Sequence, residues 1–382
     1  MNPSKIYSGA FACLVLLFCG MIERTQTDDP QLLSQRRAYY PRVIRLMPDR
    51  EAGRNNRSPL LASFDSENQT AVFHRSLDDG QSWEPLATLR DSTPPAICCS
   101  GLYEVPQTIG STKAGTLFWT TSVGKGRDPR TATAMRLYQS LDQGTTWSYV
   151  TTPVQGNIGL WEAEFAIDKQ GQLAMYYSTE EHRNEGFNQL LAHKLSTDGG
   201  KTWGEEVRDV AIPDRPDKKM RPGMAIVRRL PAGRYVMVYE ICGMGCDVFI
   251  RFSEDGVNWG NASDPGTRIE STKNHHFAHA PSFTVLPDGQ LLVVGQMLMD
   301  AAQHPVADNG RVLLLSRPGG TGPWTEVPAP VPVPTAFDNP CPNYSSQLLP
   351  SADGKRLLEI ALRYDGDVCR AYYRTVAMPI SH

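Results

Sequence analysis

Almost no stretch of this 382-residue chain repeats apolar residues every three to four positions, which excludes a helical bundle or a helix-covered parallel sheet as its main architecture. It also lacks charge of one sign. Its 38 basic and 41 acidic residues give a net charge of -3 with no long runs, so neither nucleic acid nor an anionic membrane surface is implied as a partner. Long hydrophobic runs are missing too. The one candidate, Ala10 to Phe18, is too short to span a membrane and sits between Lys5 and the charged Glu23-Arg24. It reads as a targeting segment over residues 1–20, followed by a polar leader over 21–37 and a single domain over 38–382. The expected destination is secreted or periplasmic, with lipid attachment at Cys19 as the alternative. Removing the segment leaves six cysteines, an even number that permits disulfides in an oxidising compartment. Cys98-Cys99 and Cys242-Gly-Met-Gly-Cys246 lack the spacing and flanking His of a zinc site, so no metal is expected. No cofactor is expected either.

What is plentiful is Gly (32) and Pro (29), arranged with a long period. Gly115, Gly171, Gly233, Gly289 and Gly354 each follow a small or turn residue and open a strand-like run. Asn56-Arg57-Ser58 opens a sixth run without the Gly. Units of about 60 residues, each with the content of four strands, predict an all-β, six-bladed β-propeller, which is expected to be a monomer. Seven residues beyond each turn lie Asp65, Ser122, Ser178, Glu240, Gln296 and Ala361, so Asp65 and Glu240 are the two acids that equivalent strand ends would aim at a common axis.

A second repeat is offset from the first: Ser76-Leu-Asp78-Asp-Gly80, Ser140-Leu-Asp142-Gln-Gly144, Ser196-Thr-Asp198-Gly-Gly200 and Ser253-Glu-Asp255-Gly256, each closing on a Trp, with a worn copy ending at Trp324. In such a turn Asp bonds the turn amides, Gly supplies a positive φ and Trp buries a large apolar face. These segments resemble the Asp boxes of sialidase-like propellers. Their acids are expected to be structural and to lie on the hairpins away from the active mouth.

Each blade's innermost strand should precede its Gly turn and line the axial funnel: Pro41-Arg42, Tyr103-Glu104-Val-Pro-Gln107, Trp161-Glu162, Arg221-Pro-Gly-Met, His279-Ala-Pro and Tyr344-Ser-Ser. Transfer of a glycosyl group to water needs two carboxyl groups across a cleft, one to protonate the leaving oxygen and one opposite as base or nucleophile. Glu162 and Glu240, on blades three and four, are the expected pair, with Tyr344 orienting one of them. Trp161 would stack on a sugar or sit in the core. Arg42 and Arg221 would bind hydroxyls, orient carboxylates or form interblade ion pairs. Asp65, Gln107, His279 and Arg311 complete the candidate substrate contacts, and the expected partner is an oligo- or polysaccharide.

Over most of the mature chain, Tyr40-Pro-Arg-Val-Ile-Arg-Leu46, Leu60-Leu-Ala-Ser-Phe-Asp65, Trp161-Glu162, Arg221-Pro-Gly-Met and Tyr239-Glu240 resemble the exo-acting α-L-arabinanases of glycoside hydrolase family 93. The resemblance implies a six-bladed propeller that retains anomeric configuration, acts on α-1,5-arabinan, and uses Glu162 and Glu240 with help from Tyr344. Cys242-Gly-Met-Gly-Cys246 departs from the family pattern beside Glu240. Two alternatives stand beside this reading. An exo-sialidase would use Asp65, Glu240 and Tyr344, with Arg42 and Arg311 in two of three Arg places and only Arg251 near the third. A non-catalytic propeller would present the same funnel to a glycan or protein.

Overall fold

The computed structural model describes residues 29–48, 58–91, 96–126 and 129–379. The targeting run, Cys19 and Asn56-Arg57 of the first turn lie outside the described residues. Six antiparallel sheets succeed one another along the described chain, each a blade. Their innermost strands are Tyr39–Arg45, Leu160–Ile167, Arg221–Arg229, Ser282–Val285 and Gln347–Pro350 for blades one, three, four, five and six, and Ile97–Glu104 for blade two. Helix among the described residues is limited to the 3-10 turns Glu67–Gln69 and Arg183–Glu185.

The β-branched and aromatic runs are strands because both their faces are covered by neighbouring blades. In Tyr235–Cys242, the residues Tyr235, Met237, Tyr239 and Ile241 pack into the core shared with blade three, beside Ala174, Tyr176 and Leu191. The alternate residues Val236 and Val238 turn to blade five, against Phe283 and Leu291. A one-residue slip would exchange the two cores, so the register is strongly specified.

The ring closes by strand exchange. Gln31–Leu32, from the stretch read as a leader, forms the outer strand of blade six and pairs with Tyr373 and Tyr372. A Cys341–Cys369 disulfide lies within the same blade. Blade four departs from the four-stranded plan: His276–Ala278 and Met297–Met299 extend it to six strands. Between Leu291–Val294 of blade five and Met297–Met299, Gly295 packs on Phe277, where a Cβ would lie 2.5 Å from the Phe277 side chain.

The four Ser-x-Asp turns share one bonding pattern. Ser76, Ser140, Ser196 and Ser253 each donate to the Asp two residues on, and each hydroxyl accepts the N–H of a following Gly. The Asp carboxylates in turn accept turn amides, as Asp142 does from Thr146 at 2.9 Å. These turns join the third and fourth strands, which in an antiparallel blade puts them at the end opposite the start of the inner strand.

Candidate active site

Four of the six inner strands carry one extra residue near their start. The register skips between Tyr39 and Arg42, Cys98 and Gly101, Trp161 and Ala163, and Gly223 and Ile226. The bulged residues Tyr40, Cys99, Glu162 and Met224 have φ of 53°, 63°, 33° and 57°, and Ala280 and Ser345 repeat the feature at 46° and 55° just ahead of the inner strands of blades five and six. Left-handed φ at a non-Gly residue is strained, and bulges of this kind re-aim a side chain. The bulges of blades one to four wall one cavity of about 1030 Å³ at the mouth of the propeller.

Glu162 and Glu240 both reach this cavity. The Ser178 hydroxyl donates to Glu162 Oε2 at 2.7 Å, and the Met224 N–H also bonds that carboxylate. Glu240 Oε2 accepts the Ala280 N–H at 2.6 Å. Burial at the cavity floor pushes the Glu162 carboxyl up, an effect opposed by Ser178 and by the Arg221 cation. Burial raises Glu240 further, to about 8, and the charge of Glu162 adds to the rise. Tyr344 also lines the cavity, and burial and the two carboxylates hold its hydroxyl protonated, well above the usual phenol range. Asp65 is raised to about 6 by burial, against a hydrogen bond from the Ser100 hydroxyl.

Trp161 and Arg221 stand in the cavity wall beside the carboxylates. Asp65 lines the cavity as well, and the remaining sequence candidates, Arg42, Gln107, His279 and Arg311, lie elsewhere. Arg42 is 4% exposed and lies outside the cavity lining: its Nε is 3.4 Å from Glu164, which also pairs with Arg228, and its Nη1 donates to Ser345. It is the interblade ion pair rather than a sugar contact. Gln107 is corrected by register. Glu162, Met224, Ala280 and Ser345 each precede their Gly turn by nine positions, but Cys99 precedes Gly115 by 16, because blade two inserts a bridged loop at Ile109 and Thr112. Gln107 therefore sits at the turn end, where it donates to the Gly171 carbonyl, and Cys98-Cys99 take its expected place in the cavity wall, bonded to each other. His279 lies behind the wall, 4.0 Å from Cys242 Sγ and 3.6 Å from Asp338. Arg311 is exposed, away from the cavity, at the start of the strand Val312–Arg317.

Sequence reasoning missed Tyr40, Arg130, Glu180 and Gln189, all in the cavity wall. Glu180 had a legible signal, since it follows Ser178-Thr179 at the strand end equivalent to Asp65 and Glu240. Arg130 comes from a loop with no repeat signature.

The described elements define a six-bladed propeller, the fold of the glycoside hydrolase family 93 enzymes that the chain resembles, and its axial cavity is lined by Glu162 and Glu240 from neighbouring blades together with Asp65 and Glu180. Similar solved structures include a Penicillium chrysogenum α-L-arabinanase complexed with arabinobiose, at 25% identity and TM-score 0.73 over 91% of this chain and 96% of that one. They also include the family 93 α-L-arabinofuranosidase of Fusarium graminearum with arabinobiose, at 21% identity and TM-score 0.69 over 92% and 96%. A Dyadobacter fermentans protein of unknown function shares the fold at 13% identity and TM-score 0.63, over 92% and 98%. No family sequence model and no curated protein sequence matches the chain.

Proposed function

We propose that the chain is an exported, retaining glycoside hydrolase that acts from the end of α-1,5-L-arabinan-type chains. The observation that carries this reading is the convergence of Glu162 and Glu240 from neighbouring blades on one cavity, in a fold shared with arabinan-degrading enzymes. The cavity is large enough for a short oligosaccharide. Three disulfides suit an oxidising compartment, and no described helix is long and apolar enough to cross a membrane.

Glu240, kept protonated near neutral pH, donates its proton to the glycosidic oxygen as the bond breaks. Glu162 is raised by burial less than Glu240 is, because Ser178, Arg221 and the Met224 N–H oppose the rise, and in its ionised form it attacks the anomeric carbon to form a glycosyl-enzyme ester. Ionised Glu240 then takes a proton from water, which displaces Glu162. This double displacement calls for carboxyls about 5–5.5 Å apart, closer than the spacing that admits a water between them. The Tyr344 O–H serves as a donor near the pair.

The sialidase alternative loses support from the arginines. Arg42 is spent on Glu164, Arg251 donates to the Asp209 and Asn261 carbonyls, and Arg311 lies outside the cavity, so these three do not form a site for a substrate carboxylate. Incubation with debranched arabinan, aryl arabinofuranosides and sialyllactose, with products read by chromatography and anomeric NMR, tests the proposal. Arabinobiose released with retained configuration supports it. Free sialic acid overturns it, and binding of arabinan without turnover indicates a non-catalytic propeller.

A further inference from the structure

Glu180 stands one residue beyond the strand Leu173–Thr179, is 4% exposed, and takes no part in the steps above. Its Oε1 accepts the Trp161 Nε1–H at 3.0 Å and an Arg221 guanidinium N–H at 2.6 Å, while Oε2 accepts Arg183 at 2.6 Å. Trp161 and Arg221 line the same cavity as Glu162. The Arg130 guanidinium lies over the indole, 5.3 Å from the ring centroid. Arg130, Trp161, Glu180 and Arg221 thus form one continuous chain of contacts from blade two to blade four.

The local backbone is fitted to this chain. A Cβ at Gly159 would lie 2.3 Å from Trp161 Nε1 and 2.5 Å from the Glu180 carboxyl carbon, so the two side chains can meet only over a residue that lacks one. The Glu180 N–H bonds the Gly159 carbonyl at 2.9 Å and pins the crossing.

We propose that Glu180 is a positioning residue of the hydrolytic site: it fixes the Trp161 ring as a wall for the sugar and holds the Arg221 cation away from Glu162 and Glu240. The inference rests on the hydrolase reading above. Arg221 has three carboxyl groups to choose from. Glu180 is the one it bonds, and the charge of Arg221 is still felt at the other two. If that anchor is removed, the guanidinium is drawn onto the catalytic pair, and a closer cation lowers the pKa of both acids. The other groups facing the pair are Arg42 and Tyr40 toward Glu162, Asp338 toward Glu240 and Tyr344 toward both, with His279 beside Cys242; no hydrogen bond or ion pair joins any of them to Glu180.

Two substitutions separate the roles. Glu180→Gln keeps an acceptor for Trp161 but loses the charge that holds Arg221, so KM should stay near the parent value while the alkaline limb of the pH profile moves down by roughly half a unit. Glu180→Ala should show the same shift and also raise KM about tenfold, the size of one lost charged hydrogen bond. Gly159→Ala, which touches neither carboxyl of the catalytic pair, should follow Glu180→Ala. The Trp161 indole N–H resonance, assigned with Trp161→Phe, should move upfield in Glu180→Ala whether or not any glycoside is turned over. A lowered melting temperature with KM, pH limb and indole resonance all unchanged overturns the proposal. A parent protein inactive on every glycoside overturns the hydrolase reading instead, and the indole signal then decides whether Glu180 fixes the ring.

Discussion

Glu240 Oε2 accepts the N–H of Ala280, the bulged residue of the next blade, at 2.6 Å. Asp65, at the equivalent point of blade one, bonds the next blade in the same way, through the N–H of Ser100 at 3.4 Å. The interblade clasp therefore buries a carboxyl wherever this position is acidic, and burial raises Glu240 to about 8 and Asp65 to about 6. If Glu240 is the proton donor, kcat/KM should fall as pH rises through about 8. Glu240→Gln should lower turnover roughly 10²- to 10⁴-fold on substrates with poor leaving groups and abolish that limb. A limb that persists unchanged in Glu240→Gln would assign it to another group.

The same burial has a stability consequence. The Glu240 carboxyl titrates near 4.5 when unfolded and near 8 when folded, so between these values the unfolded chain gives up a proton that the folded one keeps. The stability associated with this group is fully present below about 4.5 and is lost progressively up to about 8. Glu240→Gln should therefore melt several degrees higher than the parent at pH 8 and close to it at pH 4. Glu104 and Glu359, raised by burial to about 7 and about 8, are common to both proteins and cancel in the difference.

Asp198 provides the opposite sign. Burial pushes it up, but the Thr202 hydroxyl and N–H outweigh that and hold it at about 2. Its contribution is present above the unfolded value of 3.8 and is lost as pH falls through about 2. Asp198→Asn should cost no more than about 1 kcal/mol at neutral pH, because Asn keeps an oxygen to accept the turn amides, and should leave turnover unchanged. Denaturant melts paired with initial rates check both halves, and a large loss of turnover would remove the structural assignment of these turns.

The sequence carried the fold further than the site. Evenly spaced Gly turns and four Ser-x-Asp turns are local features, and local features survive translation into blades. Counting seven residues from each turn found Asp65, Ser122, Ser178 and Glu240, which pair with Tyr39, Cys98, Trp161 and Gly223 at the same rung of four blades. What failed in blade two was reading back from the Gly to the start of the inner strand, because the insertion at Ile109–Thr112 separates the two and brought Gln107 forward in place of Cys98-Cys99. Arg42 was misplaced for a different reason. Alternation sends its side chain to the axis, as expected, but below the cavity floor, where Glu164 and Ser345 meet it from blades three and six. Depth along a shared axis depends on the tilt of all six sheets, and no single strand records it.

Glu162 and Tyr344 offer the decisive contrast between carboxylate and phenol nucleophiles. Burial raises both groups, but at Glu162 the Ser178 hydroxyl, the Arg221 cation and the Met224 N–H oppose the rise, whereas at Tyr344 the Glu240 and Glu162 carboxylates add to it and disfavour a phenolate. Glu162→Ala should therefore lose at least about three orders of magnitude in turnover, as the loss of a covalent nucleophile implies. Added azide should rescue it through a product of inverted configuration, while azide with Glu240→Ala and an activated aryl glycoside should give a glycosyl azide of retained configuration. Tyr344→Phe removes one donor from the site and should cost about 10- to 100-fold, without azide rescue. Anomeric NMR of the azide products, with kcat for the three variants, tests the assignment. Near-normal turnover in Glu162→Ala together with abolished turnover in Tyr344→Phe would make the tyrosine the nucleophile.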